Sequence, residues 1–456
     1  MIDHICTKLK ALADDLDKPL YIVGGAVRGF IIEGKISNDI DLAGPMTTGE
    51  LISALKKHGF IVRAEYPRTH TVMFSLKEDN STKYEFTSFR KEIYGEGGGH
   101  TPVSTELTED IYEDALRRDF RCNAVYYDLK SNKFVDPLNG IEDIKNKILN
   151  TVKNPGEVFS SDGLRLLRLF RFAGELGFTP TEEVITYAKK FSGNVVDISG
   201  ERIYEELTKM LICDQKYSYS DKEGHYRAFK YCHETGVLKY IFPELALGEG
   251  LSQRKDFHQH DVLEHSFKAL LYSHPSVRLA ALLHDIGKSV VYLRNGSHHF
   301  HSEEGANIVR KRLLDLKAPR HVLDDTLWLI LNHMYDLKAN EPIKNVRRFI
   351  VDNYPKIERL LLLKEADIKA SNSDLVPLTV VRWREIIKTM QTTNSPFGLK
   401  DLKINGKDLN ELGLKGRIVG DILDKILDIV LENPLLNERR KLISLVEKLS
   451  WDMYRK

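Results

Sequence analysis

The chain is 456 residues long, 42% hydrophobic and 29% charged, with a formal net charge of +1, so it has room for several domains and a large core, and any nucleic-acid surface must be local. Four scattered cysteines (Cys6, Cys122, Cys213, Cys232) without CxxC spacing exclude a disulfide framework and a cysteine zinc site. The N-terminus MIDHICTKLKALADD lacks a signal-peptide pattern and no apolar run is long enough to span a bilayer, so a soluble cytoplasmic protein that engages no membrane is expected.

Residues 1–140 alternate short strands, expected at 20–23, 39–43, 59–65, 71–76 and 84–88, with helices around 26–33 and 49–58. The stretch 92–109 holds Gly95, Gly97, Gly98 and Gly99 without periodicity and reads as a mobile loop. From Ile141 onward strand signals vanish and helical periodicity dominates, with breaks near 248–250 and 372–377. The expected class is α+β, in four segments: 1–140, 141–247, 248–371 and 372–456.

The first segment carries the clearest chemistry. Tyr21-Ile-Val-Gly-Gly-Ala-Val-Arg28 runs a strand into paired glycines and a helix, and Asp39-Ile-Asp41 follows on a second strand. Side chains alternate along a strand, so Asp39 and Asp41 face one way and Ile40 and Leu42 the other. Two close carboxylates repel each other unless cations sit between them, an arrangement suited to two-metal phosphoryl transfer. Gly24 and Gly25 allow a triphosphate to approach the backbone, and the following helix offers free N–H groups. The segment therefore reads as a nucleotidyltransferase. Glu85, in Tyr84-Glu85-Phe86, is the candidate third carboxylate; the plainer reading is an outward-facing strand glutamate. In Arg117-Arg118-Asp119-Phe120-Arg121-Cys122-Asn123, arginines beside an aspartate suit phosphates and a ribose hydroxyl, or else form a surface salt-bridge cluster.

Next comes Ser161-Asp162-Gly163-Leu164-Arg165-Leu166-Leu167-Arg168-Leu169-Phe170-Arg171-Phe172-Ala173. At helical spacing Arg165, Arg168 and Arg171 share one side, with Leu166, Leu169, Phe170 and Ala173 opposite. Asp162 and Arg165, three apart, pair an acceptor with a donor fork. Cytosine and adenine each show an exocyclic amino donor beside a ring-nitrogen acceptor, whereas uracil and guanine reverse the order. The pair is thus a physical means of accepting C and A. An amphipathic helix with a solvated arginine face is the alternative.

VGGAVR, DID, YEFTSFR, the glycine loop, RRDFRCNA and DGLRLLRLFRFAGELGF follow in an order and spacing that resembles the class II tRNA nucleotidyltransferases, the CCA-adding enzymes and bacterial poly(A) polymerases. The resemblance spans about residues 20–240. It implies a polymerase-β-like head at 1–140 and an all-α neck at 141–247 whose first turns template the incoming base. By position, Asp39 and Asp41 would bind Mg²⁺, with Glu85 a third carboxylate. Gly24, Gly25 and Arg28 would hold the triphosphate, and Arg118, Asp119 and Asn123 phosphate and ribose. Asp162 and Arg165 would read the base edge, with Arg168 and Arg171 beside them. ATP, CTP and the tRNA 3′ end are the implied partners. Three departures stand out: Gly29 replaces an aspartate, Ser161 replaces the glutamate that opens the EDxxR template motif, and the loop reads GEGGGHTP where arginines are usual. The loop's full length argues for addition of the terminal A as well as the two C residues.

A second constellation lies in 248–371: His265, His284-Asp285, His301, His333 and Asp367. A charged pair ending the apolar run Val277–Leu283 is costly unless something binds it. Imidazole with carboxylate suits Zn, Mn, Fe or Ni, and Lys288 could hold a phosphate. LLHDIGK, DVLEHS and HFHSEEGA resemble the HD-superfamily phosphohydrolases, and His301 and His333 hint at a two-metal version. Phosphatase or 2′,3′-cyclic phosphodiesterase activity is implied for that domain. His258, His260, His298 and His299 read as bystanders.

In the helical tail, 372–456, Lys400, Lys403, Lys407, Lys415 and Arg417 either meet the tRNA backbone or form a solvated face. The leading reading is template-independent addition of C and A to tRNA, with A-only, CC-only or poly(A) addition as variants of the same chemistry. A signalling uridylyltransferase with an HD domain is a different class, and an HD hydrolase whose head only binds RNA is a third. Monomer and dimer both remain open.

Overall fold

A computed structural model of the chain describes residues 2–78, 81–95, 98–99, 102–252, 260–372 and 374–454. His258 and the loop residues Glu96, Gly97, His100 and Thr101 lie outside the described residues. The chain divides into two compact units, one of Met1–Ala246 with Arg312–Ala318, the other of Leu247–Lys311 with Pro319–Lys456.

The first unit is built on strands β1 (Tyr21–Val23), β2 (Asp39–Gly44), β3 (Phe60–Tyr66), β4 (Thr71–Leu76), β5 (Lys83–Ser88), β6 (Arg90–Ile93), β7 (Ser104–Leu107), β8 (Tyr126–Asp128) and β9 (Lys133–Val135). Seven form one sheet in the order β3-β4-β5-β2-β1-β8-β9. The β2–β5 pair is parallel and the other described pairs of this sheet are antiparallel. Alternation gives the sheet its two faces: on β2, Ile40 and Leu42 are buried while Asp39 and Asp41 are exposed, and on β5, Tyr84 and Phe86 are buried while Lys83 and Glu85 are exposed. The buried face packs as aromatics, with Phe74 stacked on Tyr84 at 5.2 Å and Phe60 edge-on to Phe74 at 5.4 Å. Helix Thr48–Lys57 starts at a capping box between Thr47 and Glu50.

The stretch expected as a loop at 92–109 is partly ordered. Arg90–Ile93 and Ser104–Leu107 pair as an antiparallel hairpin, and Val103 N–H donates to Ile93 O at 2.7 Å. Both strands are four residues long and mostly polar, RKEI and STEL, so they show no apolar period of two.

Past residue 140 the first unit is helical apart from a two-residue parallel pair, Ile148–Leu149 with Thr179–Pro180, too short for any sequence period. Its helices include Pro155–Ser161, Leu164–Leu176, Gly200–Leu211 and Gly224–Glu234. Leu164–Leu176 and Gly224–Glu234 approach so closely at Gly174 and Gly224 that a Cβ on either would lie 2.3 or 2.2 Å from the other's carbonyl oxygen. That close crossing fixes the helix carrying Asp162 and Arg165 at its start.

The second unit is helical throughout its described residues. One apolar core runs through it, joining Ala281, Leu360, Leu361 and Trp383 with Ile422, Ile426, Leu427 and Val430 of helix Arg417–Glu432. The apolar spacing of the C-terminal segment is therefore used for packing. Lys400, Lys403, Lys407, Lys415 and Arg417 lie exposed. Among the described residues no helix is long and apolar enough to cross a membrane. The whole is α+β, a mixed sheet with helices followed by helices.

Candidate active site and metal centre

Three carboxylates gather on the open face of the head sheet. Asp39 and Asp41 share one face of β2, and Asp41 is in register with Glu85 on β5 and with Val23 at the end of β1. Val23 leads into Gly24, whose φ of +74° admits glycine readily. A Cβ at Gly24 would sit 3.1 Å from Asp41 Oδ2, so the turn closes directly over that carboxylate. Asp41 keeps an open face to solvent, yet its carboxyl is pushed up to about 6 by desolvation and by the charges of Glu85 and Asp39, against the pull of Arg118 and Arg168. Glu85 is raised for the same two reasons, desolvation and Asp39. Mutual repulsion of this kind is what a divalent cation relieves, and hard carboxylate oxygens suit such an ion.

The basic residues around this cleft are paired, Arg28 fully buried and Arg118 and Arg168 partly so. Arg28, 2% exposed, donates to Asn123 Oδ1 and to the Tyr217 hydroxyl at 3.2 Å, and its Nη2 lies 3.7 Å from Glu175. Arg118 donates to Asp114 at 3.1 Å and to the Tyr126 hydroxyl, also at 3.1 Å. Asp119 accepts from Arg168 Nε at 2.7 Å, Asn123 Nδ2 at 3.1 Å and Phe120 N–H at 2.8 Å. Burial alone would raise Asp119, but Arg168 and these donors hold it well below the usual carboxylate range. The structure thus brings Arg28, Asn123, Asp119 and Arg168 into one hydrogen-bonded chain.

At the start of the helix Leu164–Leu176, Asp162 Oδ1 accepts the Leu164 N–H at 2.9 Å and Oδ2 lies 3.7 Å from Arg165 Nε. Both residues are buried. Gly163 donates its N–H to Gly98 O at 2.8 Å, and Gly98 N–H in turn reaches Asp197 at 3.0 Å, so the glycine loop touches the helix start. Most of the arginine face is withdrawn from solvent: Arg165 and Arg171 are buried, Arg171 binding Glu206 at 2.6 Å and Glu175 at 2.8 Å, while Arg168 stays partly exposed. Sequence spacing identified the arginines but not their partners: Asp114 and Glu175 lie one helical turn from Arg118 and Arg171, whereas Glu206 and Tyr217 come from distant segments.

In the second unit, two groups of three possible ligands stand side by side: His265, His284 and Asp367, and Asp285, His301 and His333. Asp285 faces both. Its Oδ2 lies 3.2 Å from His284 Nε2 and 3.4 Å from His265 Nε2, and its Oδ1 lies 3.4 Å from His301 Nε2 and 3.7 Å from His333 Nε2. His284, His301 and His333 place Nδ1 against the carbonyls of Ala281, His298 and Ile330 at 2.8, 2.9 and 2.6 Å. Those bonds put the proton on Nδ1 and leave Nε2 as a lone pair. The Nε2 atoms of His301 and His333 are 3.4 Å apart and those of His265 and His284 are 3.3 Å apart. The lone pairs of His301 and His333 do not face each other at that range without a cation or a proton between them, and His265 and His284 converge with Asp367 on the other side, so the donor set fits divalent metals on either side of Asp285. A proton can take that role at one site: burial would lower His284, but Asp285 and Asp367 raise it to about 10. Burial lowers His301 to about 4. Lys288 Nζ reaches Asp285 Oδ2 at 2.6 Å. The described bystanders, His260, His298 and His299, contribute no ligand atom to either group.

The sequence matches three known families, Poly A polymerase head domain over residues 20–150, Probable RNA and SrmB- binding site of polymerase A over 177–247, and HD domain over 262–370. It is 28% identical to a CCA-adding enzyme of Anoxybacillus flavithermus over 438 residues, covering 92% of this chain and 91% of that one. With a multifunctional CCA protein of Hahella chejuensis it shares 30% identity over 370 residues, 76% of this chain and 82% of the relative. The chain belongs to the family of the CCA-adding enzymes.

Solved structures of this family have the same fold. The CCA-adding enzyme of Bacillus stearothermophilus in complex with CTP superposes with a TM-score of 0.69 at 21% identity, over 98% of each chain. That of Thermotoga maritima complexed with tRNA-CCA gives 0.64 at 19% identity, over 98% of this chain and 95% of that one. The nucleotidyltransferase and HD families to which these segments match generally use divalent metals.

Proposed function

We propose that this chain adds C and A to the 3′ end of tRNA from CTP and ATP without a nucleic-acid template. The observation that carries the reading is the crowding of Asp41 by Glu85 and Asp39 directly beneath the Gly24 turn. Asp39 and Asp41, with Glu85 beside them, would hold the divalent ions, Mg²⁺ in our reading; bound there, such ions neutralise the carboxylates and stabilise charge on the transferring phosphoryl group.

The chain's own residues do the rest. Gly24 and Gly25 leave the backbone bare where a triphosphate approaches, and the nine-residue helix Gly25–Glu33 offers its first N–H groups to that anion. Arg28, fixed by Asn123 and Tyr217, adds positive charge behind those N–H groups. Arg118, Asp119 and Asn123 form the phosphate and ribose side. Asp162 accepts from the exocyclic amino group of C or A and Arg165 donates to the neighbouring ring nitrogen, which U and G cannot satisfy. Arg168 and Arg171 brace that edge through Asp119 and Glu206.

In the second unit His265, His284 and Asp367, with His301 and His333 across a shared Asp285, would hold two divalent metals, which lend Lewis acidity toward a phosphate ester. Lys288 places a cation beside them. A phosphatase or cyclic phosphodiesterase fits that donor set. We divide the chain into a head at 1–140, a neck at 141–247, an HD domain at 248–371 and a tail at 372–456. The exposed lysines of the tail are a surface for tRNA backbone. Action in the cytoplasm suits substrates drawn from ATP, CTP and tRNA pools.

The test uses transcripts of one tRNA ending at the discriminator base, at C and at CC, each with labelled CTP or ATP. CTP use on the first, and ATP use only on the transcript ending in CC, is the expected pattern. Incorporation on none of them defeats the proposal, and ATP use alone on all three would point to an A-adding or poly(A)-adding enzyme.

A further inference from the structure

Ser161 stands where the family's template motif opens with a glutamate, so Arg165 lacks the carboxylate one turn before it. The structure shows what holds the guanidinium instead. Arg165 is 5% exposed, and its Nη2 donates to the carbonyl of Arg117 at 2.7 Å. Ser161 Oγ supplies only a long acceptor, 3.4 Å from Nη1. The guanidinium lies 5.4 Å from the ring centroid of Tyr94, at the end of β6. The Tyr94 hydroxyl donates to Glu92 Oε2 at 2.8 Å. Glu92 Oε1 accepts from Arg90 at 2.6 Å and lies 3.5 Å from Arg117 Nη1.

These contacts close into a circuit. Arg165 is bonded to the Arg117 carbonyl, the Arg117 side chain pairs with Glu92, Glu92 holds Tyr94, and the Tyr94 ring faces Arg165. Arg90 and Arg117 hold Glu92 below its ordinary range although burial would raise it, so the anchor of the tyrosine stays ionised. A planar cation between a ring face and a carbonyl has few orientations left.

We infer that Tyr94 is a positioning residue that sets nucleotide choice, fixing the plane of Arg165 in place of the missing carboxylate at position 161. The inference rests on Asp162 and Arg165 being the base-reading pair. A guanidinium free to rotate would present its N–H groups to carbonyl acceptors as readily as to a ring nitrogen, so loss of Tyr94 should relax the choice of C and A over U and G. Catalysis at Asp39 and Asp41 would continue.

The experiment measures kcat/KM for CTP, ATP, UTP and GTP on the same three tRNA transcripts, for wild type, Tyr94→Leu, Tyr94→Phe, Ser161→Glu and the double variant Tyr94→Leu/Ser161→Glu. A ring-face contact at a part-buried site corresponds to roughly a fivefold to tenfold change. Tyr94→Leu should lower the preference for CTP and ATP by about that factor, and Tyr94→Phe by less. The double variant should recover it, because the introduced carboxylate reaches Nη1 of Arg165 from the place of the Ser161 hydroxyl. Wild-type selectivity in folded Tyr94→Leu overturns the inference, as does a double variant no more selective than Tyr94→Leu. If Tyr94→Leu does not fold by circular dichroism, Tyr94→Phe with and without Ser161→Glu gives the same comparison. Failure of the underlying reading looks different: the wild type itself would then incorporate no nucleotide or would not discriminate among the four.

Discussion

Arg28 donates from Nη2 to the Tyr217 hydroxyl at 3.2 Å, tying the residue just past the paired glycines to a loop 189 positions downstream. Phe172 lies under the same guanidinium at 5.2 Å, and Tyr217 stacks on Tyr219 at 4.9 Å with planes 3° apart. Behind Arg28 a Cβ on Gly29 would meet only the Lys35 carbonyl at 3.6 Å and the Tyr219 hydroxyl at 3.9 Å, so the position is open enough for a small side chain. Arg28→Ala removes a buried cation that donates to Asn123 and Tyr217, while Glu175 keeps Arg171 at 2.8 Å, so the loss should cost about 1.5–3 kcal/mol of stability. Tyr217→Phe removes one hydrogen bond to a charged group and should cost about 1.5 kcal/mol. Thermal unfolding of both variants checks the order. An Arg28→Ala protein that melts like wild type would show that this buried network adds no net stability.

The Gly24 turn yields a sharper expectation for activity. Its φ of +74° and ψ of −136° suit glycine, and an added Cβ would press on Asp41 Oδ2 at 3.1 Å. Backbone strain at such a site costs roughly 1–3 kcal/mol. Gly24→Ala should therefore lose at least tenfold in nucleotide incorporation while the fold, read by circular dichroism, stays intact. Asp41→Ala should abolish incorporation and leave hydrolysis by the second unit untouched. Equal loss of both activities in Asp41→Ala contradicts two independent sites.

How far these sites could be read in the sequence depended on whether a residue's partner was local. β2 and β5 were legible because buried and exposed residues alternate along them, and Asp39, Asp41 and Glu85 fell on the open face that period 2 assigns. The hairpin of Arg90–Ile93 with Ser104–Leu107 was not, because its strands are four residues long and mostly polar, and its register depends on cross-strand bonds. Arg171 illustrates the second limit. Helical spacing put it on one side with Arg165 and Arg168, but whether that side met solvent depended on Glu206, thirty-five positions away. The histidine series was readable as a set, whereas the central place of Asp285 between two groups needed coordinates.

Asp114 gives a prediction in pH. It is fully buried, which by itself would raise its carboxyl; Arg117, Arg118 and the Tyr126 hydroxyl outweigh that and hold it at about 2, against 3.8 unperturbed. A depressed folded-state value means that the contribution is complete above about pH 4 and is lost as pH falls toward 2. The shift corresponds to about 2 kcal/mol. Wild type should lose stability over that range more steeply than Asp114→Asn, which starts lower near neutrality. Parallel pH profiles for the two proteins, from urea unfolding at each pH, would mean that Asp114 is not the group responsible.

The second unit makes its prediction in metal content. If Asp285 is shared by two ions, the histidines on its two sides are separable: His284 and His265 belong with Asp367, and His301 belongs with His333. Protein loaded with Mn²⁺ and desalted should carry two ions per chain by elemental analysis. His301→Ala should retain one, because the group of His265, His284 and Asp367 keeps its three donors. Asp285→Asn should lose most of both, since an amide gives up the negative charge that faces all four Nε2 atoms. Incorporation of CTP and ATP should be unchanged in each, because those residues lie in the other compact unit from Asp39 and Asp41. Two ions retained in His301→Ala would place the second metal elsewhere, and a wild type that holds a single ion would reduce His301 and His333 to hydrogen-bonding partners of Asp285.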